Sequence, residues 1–161
     1  MINRIQTINQ IKPIFREYLD YMSQFSLIND VESWCKSALK NLHLYSIADD
    51  RYIYILKKSD TIIGFAMVNK HFRFNSKGLA VAEFYIQKNH EKKGYGRRLA
   101  EHLFEKLPGN WEVAVSIKNK SALVFWNQVV SSYTDGKFIK EWNASFNGYG
   151  FVFNNGLKKT F

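Results

Sequence analysis

Apolar residues recur at helical spacing early in the chain and at strand spacing later. "NRIQTI" reads as a short strand. After it "IKPIFREYLDYMSQF" and "DVESWCKSALKNL" carry the three- and four-residue repeat of amphipathic helices, the second with Asp30 as its N-cap. "RYIYILKK" alternates around Ile53 and Ile55, Ser59 and Asp60 make a turn, and "TIIGFAMVNK" returns as the second arm of a hairpin. "LAVAEFYIQ" is another strand, followed by a glycine turn and a helix. In that helix Leu99, Ala100, Leu103, Phe104 and Leu107 form the apolar stripe, until Pro108 and Gly109 stop it. "WEVAVSI" is the next strand and "NKSALVFWNQVV" the next helix, capped by Asn119 or Ser121, with Ala122, Phe125, Trp126, Val129 and Val130 on one face. "GKFIKEW" and "YGFVFNN" end the chain as strands. The strand, helix, strand order in the middle requires a crossover, hence a parallel pair inside a mixed α/β sheet.

With 161 residues, 46% apolar and 16% aromatic, the chain predicts one folded domain spanning 1–161. Cys35 has no second cysteine to pair with and lies in a predicted helix, where packing is its expected role. The opening "MINRIQTINQ" lacks the layout of a signal peptide, and the apolar run Ile62 to Val68 is too short to span a bilayer. A soluble cytoplasmic protein is the expectation. The net charge of +9 fits nucleic acid, an anionic membrane surface or a polyphosphate ligand, and does not choose among them.

The stretch "EKKGYGRRLAEHLFEK" narrows the choice. A strand running into a glycine turn and a helix start presents unpaired backbone N–H groups to one place, where the helix dipole also favours negative charge. Gly94 and Gly96 let the backbone approach an anion closely. Lys92, Lys93, Arg97 and Arg98 oppose the dipole when nothing is bound, at a few tenths of a kcal/mol each, roughly, and become counterions of a diphosphate when one is. The alternative is a solvated face beside an ordinary turn. A Walker loop needs Lys then Ser or Thr after the second glycine, where Arg97 and Arg98 stand. A dinucleotide fingerprint needs a third glycine, where Leu99 stands. Residues 87–106 hold six cationic and three acidic side chains, a concentration that favours a compact ligand over an extended nucleic-acid backbone.

From Ala82 to Trp126 the chain resembles the GNAT acyltransferase superfamily. "YIQKNHEKKGYGRRLAEHLFEKL" matches that family's strand, glycine loop and helix, and "NKSALVFW" matches its second signature on the next helix. The resemblance implies a central mixed, mostly antiparallel sheet, splayed at the cofactor strand and flanked by about four helices. It implies an N-acetyltransferase that moves an acetyl group from acetyl-CoA to a primary amine by direct attack, without metal. Diphosphate binding carries over to the backbone of Lys92, Lys93, Gly94, Tyr95, Gly96 and Arg97, and to Glu91, which replaces the motif's Gln or Arg. Backbone groups of Phe84 and Ile86 should bond the pantetheine arm, the N–H of Phe84 or Tyr85 should polarise the thioester carbonyl, and Asn119 should bond the arm. Trp126 occupies the position of a proton-donating tyrosine in many members. Because an indole cannot act as that acid, the role moves to Tyr133 or Tyr149, and Tyr149 beside Gly148 also suits an acceptor pocket.

Glu83 is the expected general base. It sits on the cofactor strand, alternates with Phe84, taken as core-facing, and would have its pKa raised by burial among Phe84, Tyr85 and Ile86. The alternative is a structural carboxylate bonded to a neighbouring strand or a subunit interface. His43, His71, His90 and His102 show no ligand spacing, and His90 reads as a surface residue. The expected partner is a small-molecule or peptide amine; the chain also admits a homodimer, and neither a membrane nor nucleic acid is a favoured partner. A non-catalytic acyl-CoA sensor and a basic nucleic-acid-binding module are the competing classes.

Overall fold

The computed structural model describes residues 1–25 and 31–156, so the predicted cap Asp30 lies outside the described residues. The strands are β1 (Ile2–Ile5), β2 (Tyr52–Lys58), β3 (Thr61–Asn69), β4 (Leu79–Ile86), β5 (Asn110–Ser116), β6 (Ile139–Asn143) and β7 (Gly148–Asn154). The helices are α1 (Lys12–Ser23), α2 (Val31–Leu42), the single turn α3 (Leu44–Ile47), α4 (Tyr95–Lys106) and α5 (Lys120–Thr134). The strand order is β1-β2-β3-β4-β5-β7-β6. β4 runs parallel to β5, whereas the β1–β2, β5–β7 and β6–β7 pairs are antiparallel, giving the mixed, mostly antiparallel sheet expected. No helix among the described residues is long and apolar enough to cross a membrane.

Most elements stand where their periodicity puts them, and the departures have local causes. The first strand stops at Ile5 because Ile8–Gln10 tightens into a 3-10 turn whose carbonyl at Ile8 takes the Ile11 N–H. α5 runs one turn beyond its apolar stripe, to Thr134. Asp135 then adopts a left-handed conformation (φ 52°) and the Gly136 N–H returns to the Ser131 carbonyl, a helix end that Asp and Gly both suit.

The chain forms two compact units, Met1–Met67 with Glu83–Gly96, and Val68–Ala82 with Arg97–Phe161. In the first, β1 pairs with β2 from Ile2↔Leu56 to Ile5↔Ile53, and α1 buries Ile14, Phe15, Tyr18 and Leu19. The Phe15, Tyr18 and Phe65 rings meet with centroids 5.5 to 5.7 Å apart, the edge-to-face and tilted geometry that aromatic quadrupoles favour. In the second, β4 begins in register with β5 from Leu79↔Trp111 to Val81↔Val113, and β5 pairs with β7 along its whole length. α4 buries Leu99, Ala100, Leu103 and Phe104 of its predicted stripe, whereas Leu107 falls just past the helix end and is half-buried; Phe104 packs on Trp111 and Phe153.

One acid lies in this second core. Glu112 is 1% exposed, and its carboxylate accepts the backbone N–H groups of Arg73 (2.7 Å), Phe74 (3.0 Å) and Asn75 (2.7 Å). The Asn75 side chain donates to the Trp111 carbonyl, and the Asn143 amide donates to the Arg73 carbonyl. Residues 73–75 are thereby tied to β5 and β6 by groups that could not otherwise be buried without large cost.

Candidate active site

In the first unit the end of β4 leads directly into the glycine loop. β3 and β4 approach closely there: a Cβ on Gly64 would come within 2.8 Å of the Tyr85 carbonyl, so only glycine fits. The Gln87 N–H closes the pairing onto the Ile63 carbonyl at 2.9 Å. Tyr85 and Ile86 are the buried residues of this stretch, while Phe84, expected to face the core, is only half-buried. The reason is α1. The Tyr85 ring packs against Tyr18 (5.7 Å) and Tyr21 (5.9 Å), and its hydroxyl donates to Glu17 at 2.7 Å, so the apolar face of the strand follows the helix.

Beyond β4, a 3-10 turn at Lys88–His90 commits the Glu91 N–H to the Lys88 carbonyl, and the Glu91 side chain is exposed. Lys92 (φ 56°) and Gly94 (φ 80°) then both take left-handed backbone conformations just before α4 begins at Tyr95. Left-handed residues among right-handed or extended ones turn successive N–H groups toward a common point, an anion-binding concavity. A Cβ built on Gly94 meets nothing within 4 Å, so the space over the loop is open. The Lys93 ammonium donates to the Asn89 carbonyl at 2.8 Å. His90 is not the surface residue expected. It is half-buried, its ring meets Tyr95 edge-on at 6.0 Å, and its Nδ1 is buried without a hydrogen-bond partner.

Glu83 lies on the same strand end, three residues before Ile86. Its Oε2 accepts the hydroxyl of Tyr18, from α1 rather than from a neighbouring strand. Burial raises the Glu83 pKa to about 7, the larger effect, while the Tyr18 hydrogen bond pulls it down. A carboxylate poised near neutrality can take a proton and release it at ordinary pH.

The remaining predicted residues belong to the second unit. Arg97, in the first turn of α4, donates to the Ser132 hydroxyl at 3.1 Å and stands 3.8 Å from Glu101, so its side chain is already engaged on α5 and its own helix. Asn119 caps α5, its Oδ1 accepting the Ala122 N–H at 3.1 Å and the Ser121 hydroxyl at 3.3 Å. Trp126 is 4% exposed and packs with Phe104 and Phe125. The Tyr133 ring lies against Phe104 (5.1 Å) and Phe153, and its hydroxyl receives the Asn155 amide at 3.4 Å. Tyr149 sits between the Trp142 ring (5.1 Å) and the Lys140 ammonium (4.6 Å). Among the described residues no group of three or more His, Cys, Asp and Glu could hold a metal ion.

The structure thus brings together Glu83, Phe84, Tyr85, Ile86 and the loop from Glu91 to Gly96. It adds three residues that the sequence did not single out: Tyr18, Glu17 and Gln87, the last donating to Glu17 Oε2 at 3.0 Å. No local signal could have marked them, because each contact joins residues 65 to 70 positions apart.

Residues 11–129 match the sequence profile of the Acetyltransferase (GNAT) family. Among solved structures, the chain resembles an acetyltransferase from Thermus thermophilus, with a TM-score of 0.70 at 12% identity, covering 96% of this chain and 97% of that one. The PaiA N-acetyltransferase of Thermoplasma acidophilum, solved in complex with coenzyme A, gives 0.65 at 15% identity over 96% and 99% of the two chains. The ribosomal-protein-S18-alanine N-acetyltransferase of Escherichia coli gives 0.60 at 12% identity over 99% and 97%. No curated protein matches the chain in sequence.

Proposed function

Since the chain belongs to the acetyltransferase (GNAT) family, we propose that it transfers an acetyl group from acetyl-CoA to a primary amine by direct attack, with Glu83 as the general base. The observation that carries this reading is the place of Glu83: a carboxyl with its pKa raised to about 7 stands on the strand that runs straight into an open, left-handed glycine loop. A base and an anion cradle on one continuous segment are what transfer from a polyphosphate-bearing donor needs.

The donor site is built from the backbone. The amides of Lys92 to Arg97 hold the diphosphate, with Lys92, Lys93 and Arg98 as exposed counterions. Because the Glu91 N–H is used by Lys88, Glu91 contributes at the margin of this cradle and its carboxylate stays outside it. Backbone groups of Phe84 and Ile86 bond the pantetheine arm, and the N–H of Phe84 or Tyr85 polarises the carbonyl. With Oδ1 of Asn119 committed to the helix cap, its Nδ2 is the atom left for the arm. Trp126, buried against Phe104 and Phe125, has no ionisable proton to give and enters the donor site only as a packing residue.

Bound acetyl-CoA supplies the acetyl group as a thioester, whose C–S bond breaks as the C–N bond to the amine forms and whose sulfur leaves as a thiol. Glu83 accepts one proton of the acceptor ammonium, leaving a nitrogen lone pair free to attack. Tyr133 or Tyr149 gives the departing sulfur its proton and is recharged by the second proton of the amine. The acceptor is a small-molecule or peptide amine, and the enzyme acts in the cytoplasm.

The test is thiol release from acetyl-CoA across polyamines, amino acids, aminoglycosides and peptides, with the product identified by mass. Amine-dependent thiol and an acetylated product are expected. Tight CoA binding with no turnover on any amine would leave the sensor class in place of the enzyme. The cradle has its own check. Gly94→Ala should weaken CoA binding at least about tenfold, because the added methyl occupies the open space over the loop, while left-handed strain lowers stability by only about 1 kcal/mol. Calorimetric titration together with thermal melting separates the two effects, and unaltered CoA affinity would place the diphosphate elsewhere.

A further inference from the structure

We infer that Tyr18 is a positioning residue for Glu83: its hydroxyl captures Oε2 and so presents Oε1 to the acceptor amine. This rests on the reading of Glu83 as the base.

The geometry leaves Tyr18 little freedom to do otherwise. Its side chain is 5% exposed on the buried face of α1 and is enclosed by Phe15 (5.7 Å), Phe65 (5.5 Å, edge-on) and Tyr85 (5.7 Å). A ring held on three sides cannot swing its hydroxyl away without opening the core. The helix is itself locked to the strand by a reciprocal pair. Tyr18 of α1 donates to Glu83 of β4, and Tyr85 of β4 donates to Glu17 of α1, which also takes the Gln87 amide. Two tyrosine hydroxyls pointing in opposite directions between one helix and one strand fix their relative height, and with it the orientation of the Glu83 carboxylate.

The chemistry agrees. Burial and the neighbouring Glu83 push the Tyr18 phenol well above its usual range, so it stays a donor whenever Glu83 is ionised. Besides Glu83, the titratable groups that bear on Tyr18 are Tyr21 from α1 and Tyr45 from α3, while Glu17, Tyr21 and Glu91 bear on the neighbouring Tyr85, and none of these is a cation. The hydroxyl of Tyr18 is therefore what opposes desolvation and keeps the carboxyl from rising further.

Tyr18→Phe removes one oxygen and keeps the ring packing. The acid limb of kcat/KM should move to higher pH by roughly one unit, with about tenfold lower activity at pH 6 and near-normal activity at pH 9, and an unchanged KM for acetyl-CoA. A uniform loss at every pH, or a superimposable profile, overturns the inference. Substituting 3-fluorotyrosine at position 18, a stronger donor of the same shape, should move the limb the other way, and this keeps the proposal testable should the phenylalanine variant not fold. Carboxyl carbon-13 titration of Glu83 in the same proteins distinguishes the two readings. If its pKa moves while the rate profile does not, the base assignment fails. If the wild-type rate follows the Glu83 titration but Tyr18→Phe shifts neither, only the role of Tyr18 fails.

Discussion

Glu83→Gln lowers turnover at least about tenfold at pH 8 while leaving CoA affinity within about threefold, because the amide keeps the shape of the side chain and cannot take a proton. The same substitution removes the acid limb of the rate profile. With Glu83 as the proposed base, kcat/KM of the native protein should rise with pH through about 7, where this carboxyl loses its proton. The stability effect has the opposite direction. The folded-state pKa is raised from 4.5 to about 7, so between these values the native state holds a proton that the unfolded chain releases. Stability from this group is full below about pH 4.5 and falls as pH rises toward 7. Chemical denaturation at several pH values should show that slope diminished in Glu83→Gln. A variant with normal turnover would remove Glu83 from the mechanism; a variant with low turnover but an intact acid limb would assign the limb to another group.

Glu112→Ala is the substitution with the largest expected effect on the fold. Removing the carboxylate strands three backbone N–H groups, of Arg73, Phe74 and Asn75, beside a nearly dry core. Each unsatisfied donor costs about 1 to 3 kcal/mol, and partial relaxation of the loop brings the total to about 4 kcal/mol. At about 2 to 4 °C per kcal/mol for a chain of this size, the midpoint falls by roughly 10 °C. The ordinary alternative, apolar substitution at a buried acid, often stabilises a protein when the acid's charge is uncompensated. Here three donors offset that charge and lose their acceptor, so the sign reverses. Glu112→Gln, which keeps one carbonyl oxygen, should fall between wild type and alanine. A melting point of Glu112→Ala within about 2 °C of wild type would show that the loop finds other acceptors.

The parts of this molecule legible in its sequence are those decided over one or two turns of chain. The stripe of α4 was readable because Leu99, Ala100, Leu103 and Phe104 repeat at the helical period, and the same four are buried. The glycine loop was readable because strand, Gly94, Gly96 and helix follow each other within a few residues. What the sequence concealed depends on partners far along the chain. Tyr18 meets Glu83 across 65 residues, and nothing in "REYLDYM" distinguishes Tyr18 from Tyr21 as the donor. Glu112 alternates with Trp111 and Val113 and by period alone belongs on a wet face, yet β5 lies between β4 and β7 and is closed on its other side by residues 73–75. An acid inside an otherwise apolar central strand was the available signal. The misplacement of Phe84 has the same origin, since which side of β4 counts as core is decided by α1. His90 lies among the exposed Lys88, Asn89 and Glu91, and only the contact of its ring with Tyr95 sets it apart from a surface residue of that loop.

Neither of the two units is a continuous piece of chain, and this has a consequence for how the protein is made. Residues 68–82 interrupt the first unit, and the strand that carries Glu83 begins in one unit and ends in the other. On a ribosome, where residues emerge one after another at about 5 to 20 per second, β1, α1 and the β2–β3 hairpin are available before Glu83 arrives to meet Tyr18. The intervening segment must wait longer still, until β5 supplies Glu112 to its backbone N–H groups. For those seconds Tyr18 is a phenol on the apolar face of its helix without its acceptor, and Arg73 to Asn75 are donors without theirs. Assembly of the Tyr18–Glu83 pair and of the Glu112 clamp therefore falls late in synthesis, and a nascent chain halted before residue 83 contains Tyr18 but not its acceptor.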